Sequence, residues 1–223
     1  MIRHHFTATL FSLIISCILS LPTGIQAQPL PGDLPLHEAA PDSFSIVFET
    51  TKGDFTVLAV RDWSPMGVDR LYHLVNGGYY DGVIIFRVGG TMSATGRVAQ
   101  FGITNNPDVN RAWEPHTIKD EPVRASNVRG TILFARGGPD TRGTQIALNL
   151  TDNPGLDTVD FEGVTGFPPL GRVTDGMHVA DSFFSEYRNE PSMVQDSISA
   201  KGSEFLDRVF PGLDRIIRAR VIE

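Results

Sequence analysis

The sequence predicts a mainly β fold: about eight short antiparallel strands closing into a β-barrel that is capped by two α-helices. Three observations carry this. Apolar and polar residues alternate across 44–59, about a Lys52-Gly53 turn. Only two later windows repeat apolar residues at helical spacing. The remaining apolar stretches are four to seven residues long and are bounded by Gly, Asn, Asp and Pro clusters.

The first residues stand apart from this pattern. Arg3 precedes an almost uncharged apolar run from Phe6 to Leu21, and "PTGIQAQP" follows with small and polar residues. This is the pattern of a secretory signal peptide over 1–27, with cleavage after Ala27. Two alternatives stand beside it. "LIISC" resembles a lipoprotein cleavage box with Cys17 as the acylated residue, although apolar residues continue past it. An uncleaved anchor is the other, with an apolar run of about 16 residues against the roughly 20 that a span requires. The expected location is therefore periplasmic or secreted, with no membrane span after cleavage.

Cys17 is the only cysteine, so the chain after Ala27 can form no disulfide and must rely on packing. The net charge of −7 becomes about −8 when Arg3 is removed, which argues against nonspecific nucleic-acid binding. Residues 28–43 contain Pro29, Pro31, Pro35 and Pro41 and few apolar residues, the composition of an extended linker. The folded domain is expected over 44–223, as a monomer.

Within it, Phe44, Ile46 and Phe48 alternate with polar neighbours, and Phe55, Val57 and Ala59 resume the alternation after the turn, which predicts a β-hairpin. Ser64-Pro65 is a helix start with Ser as N-cap, and Val68, Leu71 and Val75 continue to Gly77-Gly78, giving a helix over 65–76. A second helix begins near Thr174 and Asp175, with Met177, Ala180, Phe184 and Tyr187 on one face. Between the helices lie strand signals at 83–88, 98–103, 131–135, 144–150 and 170–173. Ile217, Ala219 and Val221 form a closing strand.

Four blocks occur in order: "YYDGVIIFRV" (79–88), "RVAQFGI" (97–103), "SNVRGTILFARGGPDTRGTQIALNL" (126–150) and "PLGRVTDGM" (169–177). Together they resemble the cyclophilin family of peptidyl-prolyl cis/trans isomerases, over roughly 44–223. The resemblance implies an eight-stranded barrel with a helix at each open end and an outer groove that takes proline-containing peptides or unfolded exported proteins. It implies no cofactor, metal or nucleophile. Arg87 matches the family's catalytic arginine and Gln100 the glutamine beside it. Ala135 and Arg136 fall where the groove edge pairs with the substrate main chain, and Gln145 falls on the neighbouring strand. An asparagine commonly stands in the family at the position of Arg136.

The departures concern the pocket for the proline ring. Counting from Gln100, Arg97 occupies the first phenylalanine position with Val98 beside it. Counting from Gln145, Ala147 occupies the second. Leu156 matches the pocket leucine, Gly155 replaces the preceding tryptophan, and Phe167 is set against the histidine position across an over-long segment from Asp157 to Pro168. Losing two rings forfeits on the order of 2 to 4 kcal/mol of apolar contact. Two outcomes stay open: Met92, Phe161 or Phe167 refill the pocket, or the groove binds peptides without useful turnover.

Other chemistries lack a signal. The glycines of 89–97 have no Gly-Lys-Ser/Thr ending, the histidines show no ligand spacing, and no Ser, His and Asp set has a nucleophile elbow. Asn149-Leu150-Thr151 is a glycosylation sequon placed on a strand.

Overall fold

Alternation in the first hairpin becomes packing directly. Strands β1 (Ser43–Thr50) and β2 (Gly53–Val60) pair antiparallel with Ile46 opposite Val57 and Phe48 opposite Phe55. The two rings stack at 4.9 Å, and Phe44, Ile46 and Phe48 all point into the core. Gly53, at φ 118°, makes the tight turn that side chains resist.

The computed structural model describes residues 27–91 and 96–222. The expected leader with Cys17, and Met92 in the groove insertion, lie outside the described residues. Helix α1 (Pro65–Asn76) follows the hairpin, then β3 (Arg87–Gly90), β4 (Arg97–Phe101), α2 (Pro107–Trp113), β5 (Thr131–Phe134) and β6 (Ile146–Asn149). A small hairpin of β7 (Asp160–Phe161) and β8 (Val164–Thr165) precedes β9 (Pro169–Asp175). The chain ends with α3 (Met177–Asp181), α4 (Gln195–Lys201), α5 (Ser203–Val209) and β10 (Ile216–Ile222).

Eight strands form one antiparallel sheet in the order β10-β1-β2-β9-β5-β6-β4-β3. Its two ends meet just before β3 and β10: Ile85 N donates to Asp214 O at 2.8 Å and Ile216 N to Val83 O at 2.9 Å. That contact joins the edges into a barrel, so no long edge is left unpaired there. Val68, Leu71 and Leu74 of α1 and Val179 and Ala180 of α3 enter the same core.

Four local expectations are corrected. The second helix is five residues long, because β9 runs on to Asp175 and Gly176, at φ 79°, turns the chain into it. Phe184 and Tyr187 lie beyond its end and pack on each other, with ring centroids 5.2 Å apart. Helices α2, α4 and α5 occupy stretches where strands or nothing regular were expected. At α1 Ser64 holds the N-cap position as expected, but its hydroxyl makes no capping bond and donates to Glu121 instead. Glu121 takes over that work, accepting from Met66 N at 2.8 Å and Gly67 N at 3.1 Å, where the helix N-terminus favours an anion.

The fourth correction concerns 28–43, which is not a free tether. Pro29 and Pro31 are buried, Trp113 Nε1 donates to Pro29 O at 2.9 Å, and Gln28 Nε2 donates to Tyr79 O at 3.1 Å. Leu34 and Leu36 pack on the core, and Ala40 N donates to Asp69 Oδ1 at 2.9 Å. Pro29 and Pro31 are themselves among the apolar groups that this segment buries, together with Ala40. Among the described residues no helix is long and apolar enough to cross a membrane.

Arg142, only 1% exposed, lies beneath the loops that flank the groove and donates to Glu121 Oε2 at 2.9 Å and to Ser64 Oγ at 3.1 Å. A charge buried this deeply is tolerated only with its partner. Glu121→Ala should therefore cost about 3 to 5 kcal/mol in denaturant unfolding. Glu121→Ala with Arg142→Met should lose less than Glu121→Ala alone, because no unpaired guanidinium is left in the interior.

Candidate functional site

Strand parity puts the site on the outer face of β3, β4, β6 and β5. Val88, Ala99, Phe101, Ile146, Leu148, Ile132 and Phe134 fill the barrel interior, so their neighbours in sequence must face outward. Cross-strand pairing then sets Arg87 opposite Gln100, Gln100 opposite Ala147, and Ala147 opposite Leu133. These four residues form one row across four strands, and all line a cavity of about 600 Å³.

Polar contacts order one end of the row. Arg87 Nη1 donates to Gln100 Oε1 at 2.9 Å, and Gln100 Nε2 donates to Gln145 Oε1 at 2.8 Å. The guanidinium has only donors, so the first bond turns the Gln100 oxygen toward Arg87 and leaves its NH₂ for Gln145. Arg87 Nη2 donates to Gly90 O, and Arg87 Nε to Asn189 Oδ1 at 2.9 Å. A guanidinium carries five N–H donors. Among the described residues three are engaged, by three different segments. Burial lowers the Arg87 pKa, but an arginine keeps its charge at any physiological pH.

Asn189 was not foreseen. It lies 102 residues from Arg87, in a stretch without periodic signal, and reaches the site because the segment after α3 folds back over β3. Gly89 records how close this approach is. A Cβ there would overlap Asn189 Oδ1 and lie 2.9 Å from the Arg188 carbonyl carbon.

The other end of the row is apolar. Val98, Leu133, Ala147, Leu156 and Phe167 form a separate buried cluster, with Phe161 packed against it and 6.0 Å from Phe167 between ring centroids. Ala147 leaves space where a larger side chain would stand, and Phe161 and Phe167 line the cavity there. Both belong to the over-long segment 157–168. Its path is held by Phe167 N donating to Leu156 O at 2.8 Å and by Asn127 Nδ2 donating to Phe167 O at 2.8 Å.

Two expectations about side chains change. Arg97 was counted into the pocket, but its side chain is exposed and lies outside the cavity, near Gly90 and Arg188. It shares the parity of Ala99, opposite to that of Val98 and Gln100, so Val98 fills the pocket position instead. Arg136 has a buried side chain, with Nη1 donating to Phe161 O and Nη2 to Val164 O and Gly166 O, each at 2.9 Å. Its main chain is as expected of a groove edge. Ala135 N closes the last bond of the β5–β6 pairing on Gln145 O at 2.9 Å. Among the described residues the N–H and C=O of Arg136 have no hydrogen-bond partner.

At the far end of the cavity the Tyr79 hydroxyl donates to Gly102 O at 3.2 Å, as does Thr144 Oγ1 at 3.0 Å. Burial raises the Tyr79 pKa, so this hydroxyl stays a donor. Asn149 of the sequon is fully buried, with Nδ2 donating to Thr131 Oγ1 at 2.9 Å, and is inaccessible to glycosylation in the folded chain.

Comparison with known proteins gives one answer. Residues 45–200 match the family described as "Cyclophilin type peptidyl-prolyl cis-trans isomerase/CLD". Peptidyl-prolyl cis-trans isomerase A of Dickeya dadantii is 29% identical over 164 residues, covering 69% of this chain and 82% of that protein. The crystal structure of a cyclophilin type peptidyl-prolyl cis-trans isomerase from Cryptosporidium parvum superposes with a TM-score of 0.56 at 15% identity, covering 81% of this chain and 98% of that one. A second structure of that protein, in the presence of the dipeptide Ala-Pro, has a TM-score of 0.55 at 15% identity, over 80% of this chain and 99% of that one.

The close approach at Gly89 and the Arg87–Asn189 bond give a direct check. Asn189→Ala should leave the melting temperature nearly unchanged and increase the mobility of the Arg87 Nε–H group in ¹⁵N relaxation. Gly89→Ala should also free the Arg87 Nε–H group, but with a lowered melting temperature, because its Cβ would push the 188–189 backbone away.

Proposed function

The chain belongs to the cyclophilin-type peptidyl-prolyl isomerase family, and we propose that it is an exported isomerase that accelerates cis/trans rotation about Xaa-Pro bonds in proteins folding outside the cytosol. One observation carries the catalytic part: the Arg87 guanidinium, restrained by Gln100, Gly90 and Asn189, stands in the same cavity as an apolar hollow that is open and free of Arg97. The leader-like sequence of residues 1–27 supports export. The relative crystallised with Ala-Pro supports a proline-containing ligand.

The barrier to be lowered is that of the amide bond, about 18 to 20 kcal/mol, and it arises from delocalisation of the nitrogen lone pair into the carbonyl. Rotation returns the lone pair to nitrogen. A proline ring seated among Val98, Leu133, Leu156 and Phe167 places its nitrogen near the polar end of the row. An Arg87 N–H can then donate to that nitrogen when the bond is twisted and not when it is planar, so the interaction stabilises the transition state selectively.

The residue before proline is held differently. Its main chain can pair with the N–H and C=O of Arg136, extending the β5 edge by one strand. Gln100 takes no proton in this scheme. It is joined at one end to Arg87 and at the other to Gln145, and its role is to hold the guanidinium in place.

A proline-peptide assay tests the reading. Arg87→Ala should lower kcat/KM by about 10² to 10³, the usual cost of removing a donor aimed at transition-state charge. The wild-type profile should be flat from about pH 6 to 9, because no step uses a group that titrates there. A wild-type rate equal to the uncatalysed rate would leave only a peptide-binding module. An Arg87→Ala variant as fast as wild type would refute the mechanism even if activity were present.

A further inference from the structure

Arg136 stands where the family resemblance asks only for main-chain contacts, yet its side chain is 8% exposed and lies inside the fold. Its donors go to three carbonyls of one segment, Phe161 O, Val164 O and Gly166 O, each at 2.9 Å. Its guanidinium carbon lies 4.3 Å from the Phe167 ring centroid and 5.6 Å from that of Phe161. β7 and β8 alone are two residues each, joined by a turn with Glu162 and Gly163 at positive φ. So short a hairpin has little stability of its own.

We propose that Arg136 is a positioning residue for the proline pocket. It pins the 157–168 insertion to the groove edge, so that Phe161 and Phe167 supply the wall that Ala147 does not. A planar fork is required for this, because it bridges several carbonyls and lays a flat face on an aromatic ring at once. One residue thus serves the groove twice, its main chain facing the peptide and its side chain holding the ring pocket. The inference rests on the isomerase reading only for its kinetic readout.

The test uses the full chain and an Ala-Pro-containing tetrapeptide. NMR titration gives the affinity, and line-shape exchange on the same sample gives the cis/trans rate of the bound peptide. Arg136→Ala and Phe167→Ala should each weaken binding about ten-fold, with the bound-state rate falling far less than in Arg87→Ala, because Arg87, Gln100 and Gln145 are untouched. The double variant should bind no more weakly than Phe167→Ala alone, since Arg136 acts through that ring. Arg136→Lys should resemble Arg136→Ala rather than wild type, and it replaces that variant in the cycle if Arg136→Ala does not fold.

Additive losses in the double variant, unchanged affinity in Arg136→Ala, or a bound-state rate slowed as much as in Arg87→Ala would each overturn the proposal. If the wild type fails to accelerate exchange while the affinity cycle still couples, the enzyme reading falls and the positioning role stands.

Discussion

Gln100 can hold Arg87 only because Ala99 and Phe101 must face the other way. The two inward residues are fully enclosed in the barrel, and a slip of one position in β4 would exchange them with Val98 and Gln100. Register and core are therefore one constraint, and the site inherits its accuracy from it. The same parity removes Arg97 from the pocket. A charged residue of inward parity survives at that position only because the strand begins there and its side chain escapes to solvent.

The two ends of the cross-strand row are built by different means. The polar end uses neighbouring strands, with Arg87, Gln100 and Gln145 joined by bonds of 2.8 to 2.9 Å. The apolar end takes Val98, Leu133 and Ala147 from strands but Leu156 and Phe167 from the segment after β6. Reducing the strand residue at 147 to a methyl group shifts the demand for apolar surface onto that segment. Its added length gives the rings room to reach the cavity.

Much of this was legible in the sequence, and for identifiable reasons. The first hairpin and α1 carry strict periods of two and 3.6, which few arrangements satisfy. The order of the blocks around Arg87, Gln100 and Gln145 fixed the polar half of the site. Three things were not legible. Helix α2 has a cap in Asn106, whose side chain accepts from Asp108 N at 2.9 Å, but its seven residues are too few to show a period. Proline content in 28–43 reads as a tether until Trp113 Nε1 is seen to donate to the Pro29 carbonyl. Asn189 has no local pattern at all, since only the return of the chain over β3 brings it to Arg87. Counting positions from Gln145 pointed to Ala147 and named Phe161 and Phe167 among the residues that could stand beside it, but no count could show that the two rings line the same cavity.

Arg87 and Arg136 show how the same group takes opposite roles. Each engages three acceptors. Those of Arg87 come from three segments, fix the guanidinium from several sides, and leave it half-buried in the wall of the cavity. Those of Arg136 come from a single segment, its Nε is buried without a partner among the described residues, and its face is covered by Phe167. A group with one unsatisfied buried donor costs the fold on the order of 1 to 3 kcal/mol. Apolar packing of the insertion offsets that cost only if the rings are held in the cavity wall. Arg87 is thus restrained so that its guanidinium can act, while Arg136 is enclosed so that its neighbours cannot move.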